Sequence, residues 1–435
     1  MKLVILGGGG FRVPLVYREL LRRPELGVRE LVLADVDADR LAVIRSVLPD
    51  DPAIRVRSTT SQVEAIGGAD FVFSAIRVGG ASGRVADERR ALAHGLIGPV
   101  GAGGLAYGLR TLPVALELAA VIAETAPAAW LINFTNPAGL VTEALRPVLG
   151  ERVIGICDSP AGLIARTCRA LGAAEDEVRA DYVGINHLGW LRGVWRHGSD
   201  LLPGLLADPA RLGSFEEGRL FGPALLAALG AVPNEYLYFY YHCAAALAAL
   251  AGGASRGEVL QEAQAAFYAA ALAEPDRAGQ LWQAARRHRE ESYLAEARGK
   301  QARDEQDLAG GGYELIALRL MHALAGGPSQ RLIVNVANGT TVPQLPPDLV
   351  LELACTVDAS GARPLPVAPL ELHQLGLVSS VRAAERAVIE AVRDRSRTAA
   401  LRAFAIHPLV GSAQLAQAIL DDLLRDDARL AELLS

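Results

Sequence analysis

The first half of the chain is laid out as short apolar runs, each cut off by glycine or by polar side chains. Residues 3–6 run straight into Gly7-Gly8-Gly9-Gly10, residues 31–34 into Asp35, and residues 71–76 into Arg77. Residues 130–132 meet Asn133 and Asn136, residues 153–156 meet Cys157 and Asp158, and residues 182–185 meet Asn186 and His187. Runs this short, bounded by turn residues, predict buried strands, and the periodic stretches between them, such as 13–21, predict helices. Alternation of that kind builds a mostly parallel sheet whose strand ends carry ligand-binding side chains. From about residue 191 the alternation gives way to a more helical region. Within it, 331–335 and 349–355 read as partner strands near a tight turn at Asn338-Gly339, and 304–312 as a charged, glycine-rich turn before a helix.

At 435 residues the chain is too long for one ordinary core, so two packed domains are expected, 1–190 and 191–435. Net charge of -6 and the absence of any basic block argue against nucleic acid as a partner. The N-terminal apolar run is too short for a secretory signal. The alanine-rich stretch near 244–254 reads as a buried helix and not as a membrane span. Cysteines 157, 168, 243 and 355 show no paired spacing, which suits a reducing cytoplasm without disulfides.

Strand, glycine turn, helix, strand and terminal acid at the N-terminus form a dinucleotide-binding βαβ pattern, with Arg12 in the place of the third glycine of G-x-G-x-x-G. Asp35 or Asp37 is placed to accept from an adenosine ribose. Arg77 and Arg84 among glycines read either as an anion site or as a salt-bridged helix start, Arg84 with Asp87 or Glu88. Asn136 at a strand end can address a sugar or a nicotinamide. Cys157 and His187 together suit a borderline divalent metal (manganese, iron, cobalt, nickel or zinc), leaving open positions for substrate oxygens. Asp158 is an acid, a base, a second ligand or a helix cap. Four tyrosines between 236 and 241 read either as packing at a domain interface or as the source of a catalytic phenol.

These motifs, with LINFTNPAG, GICDSP, YVGINHLGW, PNEYLYFYY and VNVANG in that order, make the chain resemble the NAD- and metal-dependent glycoside hydrolases of family 4 along essentially its whole length, and within them the 6-phospho-β-glucosidase branch. The resemblance implies a lactate/malate dehydrogenase-like Rossmann domain joined to a mixed, mostly helical C-terminal domain, with the active site between them. It implies NAD at Gly7, Gly9, Gly10, Phe11, Asp35 and Arg77, and manganese on Cys157 and His187. It implies a sugar contacted by Asn136, Asn186 and Arg84, the last at a 6-phosphate. Hydride loss from C3, removal of the C2 proton by Tyr236 and elimination at C1 follow, a route outside the usual carboxylate pair. The implied substrate is a 6-phosphorylated disaccharide, and the implied assembly a homodimer or homotetramer. In β-acting members the residue after the metal cysteine is usually asparagine; the aspartate here, Asp158, is the leaving-group acid of the α-acting ones. Pro99 to Ala102 and Ala309-Gly310-Gly311 also depart from the family pattern. A 6-phospho-α-glucosidase, a non-phosphorylated glycosidase and a plain NAD-dependent hydroxy-acid or sugar dehydrogenase are the alternatives.

Overall fold

The computed structural model describes residues 1–291 and 312–435; the expected turn at 304–312 lies, except for Gly312, outside the described residues. The strands are β1 (Lys2–Leu6), β2 (Glu30–Ala34), β3 (Arg55–Thr59), β4 (Phe71–Ser74), β5 (Trp130–Asn133), β6 (Val153–Gly155), β7 (Arg179–Ile185), β8 (Leu188–Arg196), β9 (Ser199–Asp200), β10 (Val232–Pro233), β11 (Gln330–Ala337), β12 (Val350–Asp358) and β13 (Gly361–Pro364). They join one sheet in the order β10-β8-β7-β12-β11-β6-β5-β4-β1-β2-β3, with β13 on β12 and β9 on β8.

From β3 to β6 the strands are parallel, in the order of a doubly wound dinucleotide-binding fold. Their near-continuous apolar sequences follow from burial on both faces. Leu3 and Ile5 enter one core with helices Val13–Leu21, Ala38–Val47 and Tyr313–Leu324. Val4 and Leu6 enter the other with helices Ala102–Thr125, Ala138–Leu149 and Ala413–Asp426. Helix Ala102–Thr125 is long and apolar enough to cross a bilayer, yet it is a core helix, with Leu109 and Leu112 fully buried.

Antiparallel pairing then extends the sheet. β11 meets β6 through Asn335 and Gly155, β12 pairs with β11, and β7 and β8 follow as a hairpin. Residue 190 lies within β8, so the sheet runs without a break past that point. The alanine-rich stretch forms helix Cys243–Ala251, but not a buried one: it seats only Ala246 and Leu250 and leaves Ala244, Ala245, Ala248 and Ala249 exposed. Alanine's high helix propensity explains this, since it favours the helix without needing burial.

Candidate active site

Gly7 begins the N-terminal turn at φ 84°, where a Cβ would lie 2.6 Å from the carbonyl oxygen of Ala75. Only glycine satisfies both the angle and the space. Gly7 and Gly8 donate to the Ala34 carbonyl at 2.9 and 2.8 Å, and helix Val13–Leu21 starts three residues past Gly10, which places its N-terminal end beside the turn. Asp35 accepts from the Gly9 amide at 3.0 Å and from the Asp37 amide at 3.2 Å. The second half of the chain closes over this turn. Tyr268 Oη donates to the Gly9 carbonyl at 2.6 Å, and Trp282 Nε1 to the Phe11 carbonyl at 2.8 Å. The Phe11 ring is buried between Phe267 and Trp282, with centroids 5.4 and 5.9 Å away, so Phe11 offers the turn its backbone only. Arg77 is exposed, with its guanidinium 4.9 Å above the Tyr107 ring.

The proposed metal pair lies just past the ends of β6 and β7. Cys157 follows β6 and is buried. His187 is the second residue of the two-residue turn Asn186-His187, which joins Ile185 to its partner Leu188. Its φ of 65° is a glycine-like conformation, a strain of about 1–3 kcal/mol that a structural turn would avoid by using glycine. Burial pushes the imidazole down to about 4, with Asp158 opposing and Arg84 adding to the shift. His187 is therefore neutral at physiological pH, and its Nε2 is buried without a hydrogen-bond partner. Burial, and then the charges of Glu352 and Asp158, drive the Cys157 thiol well above its usual range. A thiolate there needs a cation, and a buried orphan imidazole nitrogen needs an electrophile, so the two fit a shared divalent metal. Among the described residues no group of three or more His, Cys, Asp or Glu is placed to hold an ion.

Tyr236 lies on the single turn Glu235–Leu237, and its ring stacks on the His187 imidazole. Ser159 Oγ donates to Glu235 Oε1 at 2.6 Å, which ties that turn to the helix after Asp158. Burial and the neighbouring Glu217 raise the Glu235 carboxyl to about 7. The other tyrosines pack. Tyr238 is buried, and Tyr241 Oη accepts from Trp190 Nε1 at 3.0 Å. Asn136 is half-buried after β5, at a cis bond to Pro137, and Asn186 Oδ1 accepts from the Ala138 amide at 2.9 Å. Arg84 realises the salt-bridge reading, donating from Nε to Glu88 Oε1 at 2.6 Å, while its charge still reaches His187.

Asp158 stands at the N-cap of helix Ser159–Leu171, but its side chain caps nothing. Its carboxylate turns to Arg12, with Nη1 to Oδ2 at 3.4 Å, and the Arg12 guanidinium lies 4.9 Å above the Tyr313 ring. Tyr313 Oη is in turn 3.9 Å from Cys157 Sγ. Arg12 and Tyr313 are thus site residues that sequence reasoning passed over. Arg12 carried a signal, a long cation where a glycine turn asks for glycine; Tyr313, at the start of an ordinary helical pattern, carried none.

Fold and site together define an enzyme built on a dinucleotide-binding sheet, with a thiol, an imidazole and a phenol at its strand ends. The pattern "Family 4 glycosyl hydrolase" matches residues 2–173, and that family's C-terminal domain matches residues 182–410. The chain belongs to the family 4 glycosyl hydrolases. It is 31% identical over 444 residues to a probable 6-phospho-β-glucosidase of Bacillus subtilis (98% of this chain, 96% of that one). It is 28% identical to 6-phospho-α-glucosidase 1 of Lacticaseibacillus paracasei (97% and 96%). A 6-phospho-β-glucosidase from Thermotoga maritima, solved with manganese, NAD+ and glucose-6-phosphate, superposes with a TM-score of 0.83 at 25% identity, covering 99% of both chains.

Proposed function

We propose that the chain is a 6-phospho-β-glucosidase that opens its substrate by redox-assisted elimination. The observation that carries this reading is the convergence of Cys157, His187 and Tyr236 beside a dinucleotide turn. Gly7, Gly9, Gly10, Phe11, Asp35 and Arg77 would hold NAD, and Cys157 and His187 a divalent cation, manganese in this reading; bound there, they would supply hydride exchange at C3 of the sugar and Lewis-acid stabilisation of negative charge on its oxygens. Tyr236 removes the C2 proton, its ring held in place by the His187 stack. Loss of that proton expels the C1 substituent, and water replaces it. Asn136 orients the sugar hydroxyls, Asn186 holds the turn that carries His187, and Arg84, itself braced by Glu88, takes the 6-phosphate through charge-assisted hydrogen bonds. Residues 1–190 serve the cofactor and 191–435 the substrate, in a cytoplasmic homodimer or homotetramer acting on a phosphorylated disaccharide.

Relatives of both anomeric types align with nearly the whole chain. The β reading is supported by the higher identity to the β-type relative, 31% against 28%, and by Asp158 being engaged by Arg12. The α reading rests on the identity of Asp158 itself. The test is a panel of aryl glucosides, α and β, with and without a 6-phosphate, incubated with purified protein, NAD+, Mn2+ and a reductant. Release from the 6-phospho-β compound is expected. No release from either phosphorylated anomer overturns the proposal, and net accumulation of NADH would instead mark a dehydrogenase.

A further inference from the structure

At one level of the sheet, four strands place Gly155, Asn335, Glu352 and Gly184 side by side in register, and Gly184 is itself paired with Gly189 of β8. The glycines leave room for the polar side chains between them. A Cβ on Gly155 would lie 2.9 Å from Cβ of Asn335, and one on Gly189 would lie 2.2 Å from Oη of Tyr182. Into that room Glu352 projects a carboxylate from between Leu351 and Leu353 and is 1% exposed. Tyr182 Oη donates to Glu352 Oε2 at 2.9 Å, and Asn335 Nδ2 donates to Glu352 Oε1 at 3.1 Å. Asn234 Nδ2 donates to Tyr182 Oη at 3.2 Å.

The placement matters because of what the end strands carry. Two residues past Gly155 is Cys157, and two and three residues past Gly184 are Asn186 and His187. A buried acid is costly unless its hydrogen bonds and a nearby cation compensate it. No arginine or lysine pairs with Glu352 among the described residues, whereas its charge reaches the Cys157 thiol.

We propose that Glu352 is a positioning residue for the Cys157–His187 metal site, a buried anion that braces the two ligand-bearing strands against each other and offsets the charge of the cation they share. The proposal rests on the metal reading given above. Groups in that role bear on metal affinity as well as on packing, by about ten- to a hundredfold.

The experiment is direct titration of the purified protein with Mn2+ at pH 8, followed by the electron paramagnetic resonance of the free ion, with NAD binding measured in parallel. Glu352→Gln keeps the shape and one acceptor oxygen but removes the charge and the second acceptor. It is expected to weaken Mn2+ binding about ten- to a hundredfold and to leave NAD binding unchanged. Glu352→Asp, shorter but anionic, is expected to recover part of the loss. Mn2+ affinity within twofold of the native protein in Glu352→Gln overturns the proposal, because the charge would then have no bearing on the cation. Should that variant fail to fold, Tyr182→Phe, which removes one donor from the carboxylate, is expected to weaken Mn2+ binding several-fold, and an unchanged affinity overturns the proposal equally. If Cys157→Ser binds Mn2+ as the native protein does, the metal reading itself falls, whatever Glu352 does.

Discussion

The His187 imidazole and the Tyr236 phenol lie face to face, with centroids 3.7 Å apart and planes 15° from parallel. The stack fixes the phenol beside the imidazole proposed as a metal ligand without using its hydroxyl. Tyr236→Phe keeps the ring, so its thermal unfolding midpoint is expected to stay within a few degrees of native. Its kcat is expected to fall about a hundred- to ten-thousandfold, the usual worth of a positioned base. Substrate deuterated at C2 should turn over more slowly than protiated substrate in the native protein. Full activity in Tyr236→Phe would remove the phenol from the mechanism.

Chelation gives a second expectation. Without a cation, burial keeps the Cys157 thiol protonated, so dialysis against EDTA is expected to abolish aryl-glycoside release and added Mn2+ to restore it. Cys157→Ser replaces a soft ligand with a hard, neutral one, and its rate should recover only at Mn2+ concentrations at least about tenfold higher. A protein fully active after exhaustive chelation would contradict this.

Arg12 decides the expectation for Asp158. The pair is about one-third exposed on each side, 35% and 32%, so breaking it should cost no more than about 1 kcal/mol of stability. Because Asp158 faces Arg12, Asp158→Asn is expected to lose less than about tenfold in kcat/KM on an aryl 6-phospho-β-glucoside, a difference under about 1.4 kcal/mol. Comparing activated with poorly activated aryl groups supplies the check. A loss above a hundredfold confined to poor leaving groups would make Asp158 the acid and move the reading to the α anomer.

Much of this was legible before any coordinates, because buried strands that end in polar residues advertise where a sheet presents its chemistry. The glycine turn, Asn136, Cys157 and Asn186-His187 all fall at such ends, and each predicted run overlaps an observed strand, though β4 stops at Ser74, β6 at Gly155 and β12 begins at Val350. The antiparallel seam was not legible, since one register pair, Asn335 with Gly155, makes it, and no local pattern specifies a partner 180 residues away. Glu352 was hidden for the same reason. An acid in the run Val350-Leu351-Glu352-Leu353 is informative only once the register sets Asn335 and Gly184 beside it. Asp158 was ambiguous because a helix start explains an aspartate by itself, and only the packing of Arg12 shows that the cap is not used.

His407 supplies a pH dependence away from the site. It is 3% exposed, its Nδ1 accepts from the Leu409 amide at 3.2 Å, and burial lowers its imidazole to about 4. In the unfolded chain it takes a proton near pH 6.5, so between those values the unfolded state binds more protons and stability falls as pH falls. The contribution is complete above about pH 6.5 and is lost toward pH 4, amounting to roughly 3 kcal/mol. His407→Asn, which retains an acceptor, should flatten the slope of denaturant-derived stability between pH 7 and 4.5. An unchanged slope would show that other groups set it.

The closure of the N-terminal turn by Tyr268 and Trp282 also sets the order of events during biosynthesis. Gly9 and Phe11 leave the ribosome 259 and 271 positions before their partners. At elongation rates of roughly 5–20 residues per second, the nascent chain spends about 13 to 50 seconds with that turn unsealed. Nucleotide capture in its finished form therefore waits until the second half of the polypeptide folds back onto the turn.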